Sequence, residues 1–233
     1  MQAKEYSQKI DKPVKYLMPL GVLYTAFLLV ASLIVHKMVQ IGGITLSAST
    51  LIFPFTYFLG DVIAEVYGYK VSRQLIWAAF AAMFIFDMLS ALIIHLPSPS
   101  YWLQQGAFDT VLSPLPRTFL GDFLGLNVGA FLNVYLLTKW KIAIRGRLFW
   151  LRSLCSAALG EAIFNLIAFS VVFIGVIPLN HIFQAMIFSY LFKALFALIT
   201  VIPALLLVRY LKNKESIDVY DYDTNFNPFS LDV

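Results

Sequence analysis

The sequence predicts an all-α polytopic membrane protein, a bundle of six transmembrane helices, and three observations carry that expectation. Hydrophobic residues make up 60% of the 233-residue chain and charged residues 13%, about half the charged share of a soluble domain. Apolar runs of about 20 residues, the length that crosses roughly 30 Å of hydrocarbon, recur along it. Of its 17 Lys and Arg, all but Lys37, Arg117 and Lys193 fall in segments on one side of such a bundle, the bias that marks cytoplasmic connections.

Residues 1–13 are polar and basic without the form of a signal peptide, and are expected to be a cytoplasmic N-terminal segment. Spans are expected at about 14–36, 46–67, 74–95, 117–138, 151–176 and 183–208, which together make a six-helix transmembrane domain over 14–211. Lys70, Arg73, Lys139, Lys141, Arg145, Arg147 and Arg152 then lie in or beside inner connections, so both termini face the cytoplasm. Residues 212–233, acidic and Asn-rich, are expected to be a cytoplasmic C-terminal tail with little regular structure. The net charge of +4 thus reflects topology and gives no sign of nucleic-acid binding. The outer connection Pro97–Arg117 holds Tyr101, Trp102 and Phe108, suited to an interfacial anchor or to a lid over an outward cavity. Cys155, in the fifth span, is the single cysteine and reads as a buried thiol without a redox role.

Six ionisable residues stand within spans: Asp61, Glu65, Asp87, Asp122, Glu161 and Lys193. Charges at bilayer depth are costly and mark functional sites by default. Asp61 and Glu65 are an i, i+4 pair on one helix face, and Glu161 and Asn165 repeat that spacing in the fifth span. Asp122, Gly125, Gly129 and Asn133 form one stripe on the fourth, where Gly121, Gly125 and Gly129 also suit close helix packing. Lys193 is expected to pair with a carboxylate, to contact substrate, or both. Phe53, Phe58 and Tyr67 flank the acidic pair and can hold a planar ring.

Leu59-Gly60-Asp61-x-Ile63-x-Glu65 matches Leu159-Gly160-Glu161-x-Ile163-x-Asn165, as an inverted repeat with a binding site at its interface would. Enzymatic classes are not supported. A Gly-x-Gly-Asp protease signature would need glycine at Phe58 or Phe119, and zinc, serine-nucleophile and Walker motifs are missing. No cofactor and no metal site is implied. A transporter or binding subunit for a small polar solute fits best, with a cation channel as the other transport class.

The stretch FPFTYFLGDVIAEVYGYKVSRQ, with Phe53, Pro54, Asp61, Glu65-Val66-Tyr67-Gly68 and Arg73, resembles the signature of the queuosine precursor transporter family, also called the vitamin uptake transporter family. Pro116-Arg117-Thr118 and the tail block Thr224–Phe229 look like further family features. The resemblance implies a six-helix bundle similar to the substrate-binding subunits of energy-coupling-factor importers, in the bacterial inner membrane. It implies as substrate a 7-deazaguanine, preQ0 or preQ1, salvaged for tRNA queuosine. A carboxylate, Glu65 or Glu161, would accept the two donors of its guanine-like edge, and Asn133 or Asn165 would meet its carbonyl. An aromatic would stack on the ring, and Asp61 would take an aminomethyl cation. The alternatives are a capture subunit that needs a separate energising module, and an importer of another planar nucleobase or vitamin. A homodimer is compatible with the sequence. The family pattern has acidic residues more often where Asn133 and Asn165 stand, and small or hydroxyl residues where Asp122 stands.

Overall fold

The computed structural model describes residues 14–230, so the expected cytoplasmic segment 1–13 and residues 231–233 of the tail lie outside the described residues. The element order is α1 (Leu17–Ile34), β1 (Met38–Ile41), β2 (Ile44–Ser47), α2 (Ser49–Ile52), α3 (Pro54–Ile93), α4 (Gln105–Leu112), α5 (Leu115–Ala143), α6 (Phe149–Phe173) and α7 (Leu179–Glu215). Five helices are long and apolar enough to cross a membrane, against the six spans that hydropathy predicts. The chain is a helical, multi-pass membrane protein.

The difference lies at Gly68. The runs at 46–67 and 74–95 are joined in α3, whose 40 residues would reach about 60 Å if straight, twice the hydrocarbon thickness. Gly68 instead takes φ +85° and ψ 178°, a region open in practice to glycine alone. There the helix doubles back. The same few turns of α1 touch both arms: Gly21 lies against Leu75 and Tyr24 against Gly60, while Phe27 stacks on Phe55 at 5.0 Å and Ser32 donates to Asp87 at 3.4 Å. Arms 54–67 and 69–93 are therefore antiparallel neighbours.

Breaking a helix strands its terminal backbone groups, and the structure pairs them. Lys141 Nζ donates to the Glu65 carbonyl at 2.6 Å, and the Val219 N–H donates to the Val66 carbonyl at 3.2 Å. The Tyr69 N–H donates to both oxygens of Asp221 at 3.1 and 3.0 Å. Two of these three partners belong to the tail. Beyond Glu215 the described residues of the tail form no helix or strand, yet they are fastened along the second arm. Tyr69 Oη donates to the Phe226 carbonyl at 2.9 Å, Arg73 to the carbonyls of Asn225 and Asn227 at 3.2 and 3.0 Å, and Trp77 Nε1 to that of Pro228 at 2.8 Å. Burial against the second arm pushes the carboxyl of Asp221, part of this strap, above the usual carboxylate range.

The glycine stripe of α5 is the packing face against α6. A methyl group on Gly129 would stand 2.6 Å from the Gly160 carbonyl oxygen, and one on Gly160 would stand 2.5 Å from that of Gly129. At Gly125 the neighbour is Phe164, at 2.8 Å. Close backbone approach is what small-residue motifs permit in lipid. Gly129→Ala is expected to cost about 1–3 kcal/mol through overpacking, read as a lower melting temperature of the detergent-solubilised protein. Gly106→Ala should leave it unchanged, since nothing lies within 4 Å of the added carbon.

Two features depart from the sequence expectation. Residues 38–47 form a β-hairpin whose two-residue Gly42-Gly43 loop has φ of +57° and +81°, the handedness that suits twisted strands. Cys155 is exposed rather than buried, because it lies on the α6 face turned away from the other helices. In the connection between α3 and α5, Trp102 and, on α4, Phe108 are exposed.

Candidate functional site

Glu161 and Asn165, one turn apart on α6, turn the same face toward Lys193 of α7. The Lys193 ammonium donates to Glu161 Oε2 at 2.8 Å and to Asn165 Oδ1 at 2.9 Å. It also lies 4.4 Å from the ring centre of Phe53 and 4.8 Å from that of Phe164. Those two rings stack on each other at 4.4 Å, 9° from parallel. All five residues are buried. An ion pair at this depth stands only because the carboxylate, the amide and the ring faces together replace the water it gave up.

This cluster separates two clefts, and Lys193 lines both. The inner one, nearer the Gly68 turn, is bounded by Tyr57, Phe58, Asp61, Ser153 and Glu161. The outer one, nearer the β-hairpin, is bounded by Val35, Ser49, Phe53, Asp122 and Phe164. Asp61 accepts from Asn133 Nδ2 at 2.7 Å and from the Ser153 hydroxyl. Asp122 accepts no hydrogen bond among the described residues, although only 7% of it is exposed. The two segments that match in sequence thus meet at the inner cleft, through Asp61 and Glu161.

Buried polar atoms nearly always find a partner. Around these clefts four find none among the described residues: Tyr57 Oη, Asn133 Oδ1, Glu161 Oε1 and Asn165 Nδ2. They comprise two acceptors, one amide donor and one hydroxyl that can act either way. That set complements a small, flat solute carrying both donors and acceptors.

The remaining residues expected at the site lie elsewhere. Glu65 shares its face with Asp61, but both its oxygens are held by cations. Arg152 donates to Oε2 at 2.9 Å and Lys212 to Oε1 at 2.7 Å, with the Lys141 ammonium 3.9 Å away. Asp218 of the tail completes the group, 2.6 Å from Lys141 and 2.9 Å from Lys212. The Tyr67 hydroxyl donates to Glu215. Neither Glu65 nor Tyr67 lines either cleft. Tyr57 is one of the aromatics that precede Asp61 in the sequence, whereas Ser153 and Phe164 are not among the residues expected at the site. Ser153 carried a signal: Ser153, Ala157, Glu161 and Asn165 repeat every four residues along one face of α6. For Phe164 the only signal was its place beside Asn165.

Residues 47–208 match the model of the family described as "Putative vitamin uptake transporter". Over 186 residues the chain is 27% identical to a protein of Bacillus subtilis (strain 168) named "Probable queuosine precursor transporter", covering 79% of this chain and 81% of the relative. No solved structure matches. The family match takes in α3, α5, α6 and most of α7, and with them Lys193, the inner cleft and the outer cleft apart from Ala31 and Val35. The chain belongs to the vitamin uptake transporter family, a family of transporters rather than enzymes.

Proposed function

We propose that the protein imports a 7-deazaguanine precursor of queuosine across the bacterial inner membrane and binds it beside the Phe53–Phe164 stack. The observation that carries this is the set of four unpartnered polar atoms around two buried carboxylates. Glu161 accepts the paired N–H donors of the guanine-like edge, as a carboxylate accepts any such fork. Asn165 Nδ2, free in this structure, donates to the ring carbonyl. Phe53 and Phe164, already parallel, part to take the ring against their faces. Asp61, held by Asn133 and Ser153, receives an aminomethyl cation where the substrate is preQ1. The name of the Bacillus relative supports this substrate class.

Both arms of α3 cross the membrane in this arrangement, giving six passes with both termini in the cytoplasm. The hairpin at Gly68 and the cations beside it, Lys70, Arg73, Lys141 and Arg152, support that orientation. Transport then exposes the site alternately to the outer and inner sides. In that cycle Glu65, Arg152, Lys141, Lys212 and Asp218 keep the inner end shut.

The test uses cells unable to make 7-deazaguanines, supplied with nanomolar preQ0 or preQ1 and assayed for queuosine in tRNA. Expression of this chain is expected to restore the modification. Glu161→Gln is expected to reduce initial uptake about tenfold or more, the effect of losing a charged hydrogen bond. Modification no better than in a vector control, with folded protein in the membrane, would overturn the substrate assignment.

A further inference from the structure

The buried charges of the clefts do not balance. Among the described residues Lys193 is the one ammonium that lines them, while three carboxylates do so: Asp61, Glu161 and Asp122. Asp61 has two neutral donors and Glu161 has Lys193. Asp122 is buried without a hydrogen-bond partner among the described residues, yet it lines the outer cleft together with Lys193. The ammonium therefore has an occupied seat at Glu161 and a vacant one at Asp122.

On the binding mode proposed above, Lys193 and the substrate compete. A fork of two N–H donors needs both oxygens of Glu161, and Lys193 holds Oε2. A ring laid on Phe53 and Phe164 needs the aromatic faces that the same ammonium covers. We propose that Lys193 is an internal stand-in for the substrate, which displaces it from Glu161 and sends it to Asp122. After the move each of the three carboxylates has a partner, since substrate donors replace the ammonium at Glu161, the ammonium neutralises Asp122, and Asp61 keeps its two neutral donors. It also withdraws the cation from over the two rings and lets them part. In the empty transporter Lys193 holds the partition between the clefts closed. In the loaded one it does not.

Binding of preQ1 and preQ0 to the purified full-length protein in nanodiscs, measured by equilibrium dialysis, tests this. Lys193→Met removes the competitor and is expected to tighten binding about fivefold or more, the usual size of a coupling between sites. Asp122→Asn removes the vacant seat and is expected to weaken binding by a similar factor. In the Lys193→Met background, Asp122→Asn is expected to change nothing, because no ammonium is left to receive. Equal or weaker binding by Lys193→Met overturns the proposal, as does an Asp122→Asn effect of the same size in both backgrounds. Should Lys193→Met not fold, Asp122→Asn decides alone: it breaks no hydrogen bond, and unchanged affinity in that variant overturns the proposal. A wild-type protein that binds neither probe would instead defeat the substrate assignment beneath it.

Discussion

Glu65→Ala is expected to destabilise the protein by about 3–5 kcal/mol, the cost of removing one member of a buried ion pair. Arg152 and Lys141 are 2% and 1% exposed, and neither can reach water when its anion is lost. Arg152 would keep the carbonyls of Leu137 and Arg147, and Lys141 would keep Asp218. The charge would remain underpaired. The expected reading is a large fall in the apparent melting temperature, with less protein recovered from membranes. Lys212→Ala should cost far less, because Lys212 is more exposed than the other two cations and water can replace what it loses. A Glu65→Ala protein as stable as wild type would show that the three cations do not depend on this carboxylate.

Gly68→Ala should be nearly as damaging, for two reasons that add. An alanine at φ +85° is strained wherever it sits, and its methyl group would stand 2.7 Å from Val219 Cγ1 and 3.1 Å from an Asp221 oxygen. The expected cost is about 2–4 kcal/mol, and its location is specific. The tail must lift before the methyl group fits, so limited proteolysis should cut after Glu215 in the variant under conditions that spare the wild type. A tail equally protected in both would mean that its hold on the second arm does not depend on the break.

Much of the site was legible because periodicity assigns faces. Glu161 and Asn165 share a face on any α-helix, and Lys193 needed an anion, so the structure joins residues that were already suspects. The glycine stripe was legible for the same reason. Periodicity gives no depth and no partner, and there it misled. Asp61 and Glu65 share a face, but one turn of descent carries Glu65 into a nest of cations drawn from α5, α6 and α7. Two of those, Lys141 and Lys212, come 76 and 147 residues later in the chain, so no local pattern announces them. Gly68 lay inside the recognised block but was treated as part of a motif, when its role is the φ that turns two expected spans into one folded-back helix. The hairpin at 38–47 is legible in the Gly-Gly pair between β-branched residues, a local turn signal that hydropathy does not carry.

The pairing between Tyr69 and Asp221 also sets an order of events at the ribosome. Their separation is 152 residues, and at about 5–20 residues per second synthesis takes on the order of ten to thirty seconds to cover it. During that interval the helical hairpin has its bend but not the strap that satisfies the backbone there. Water must serve those amides meanwhile, which is workable at the edge of a bilayer and ruinous at its centre. The place where the chain can double back is therefore limited by how long the nascent protein must wait for its own later residues.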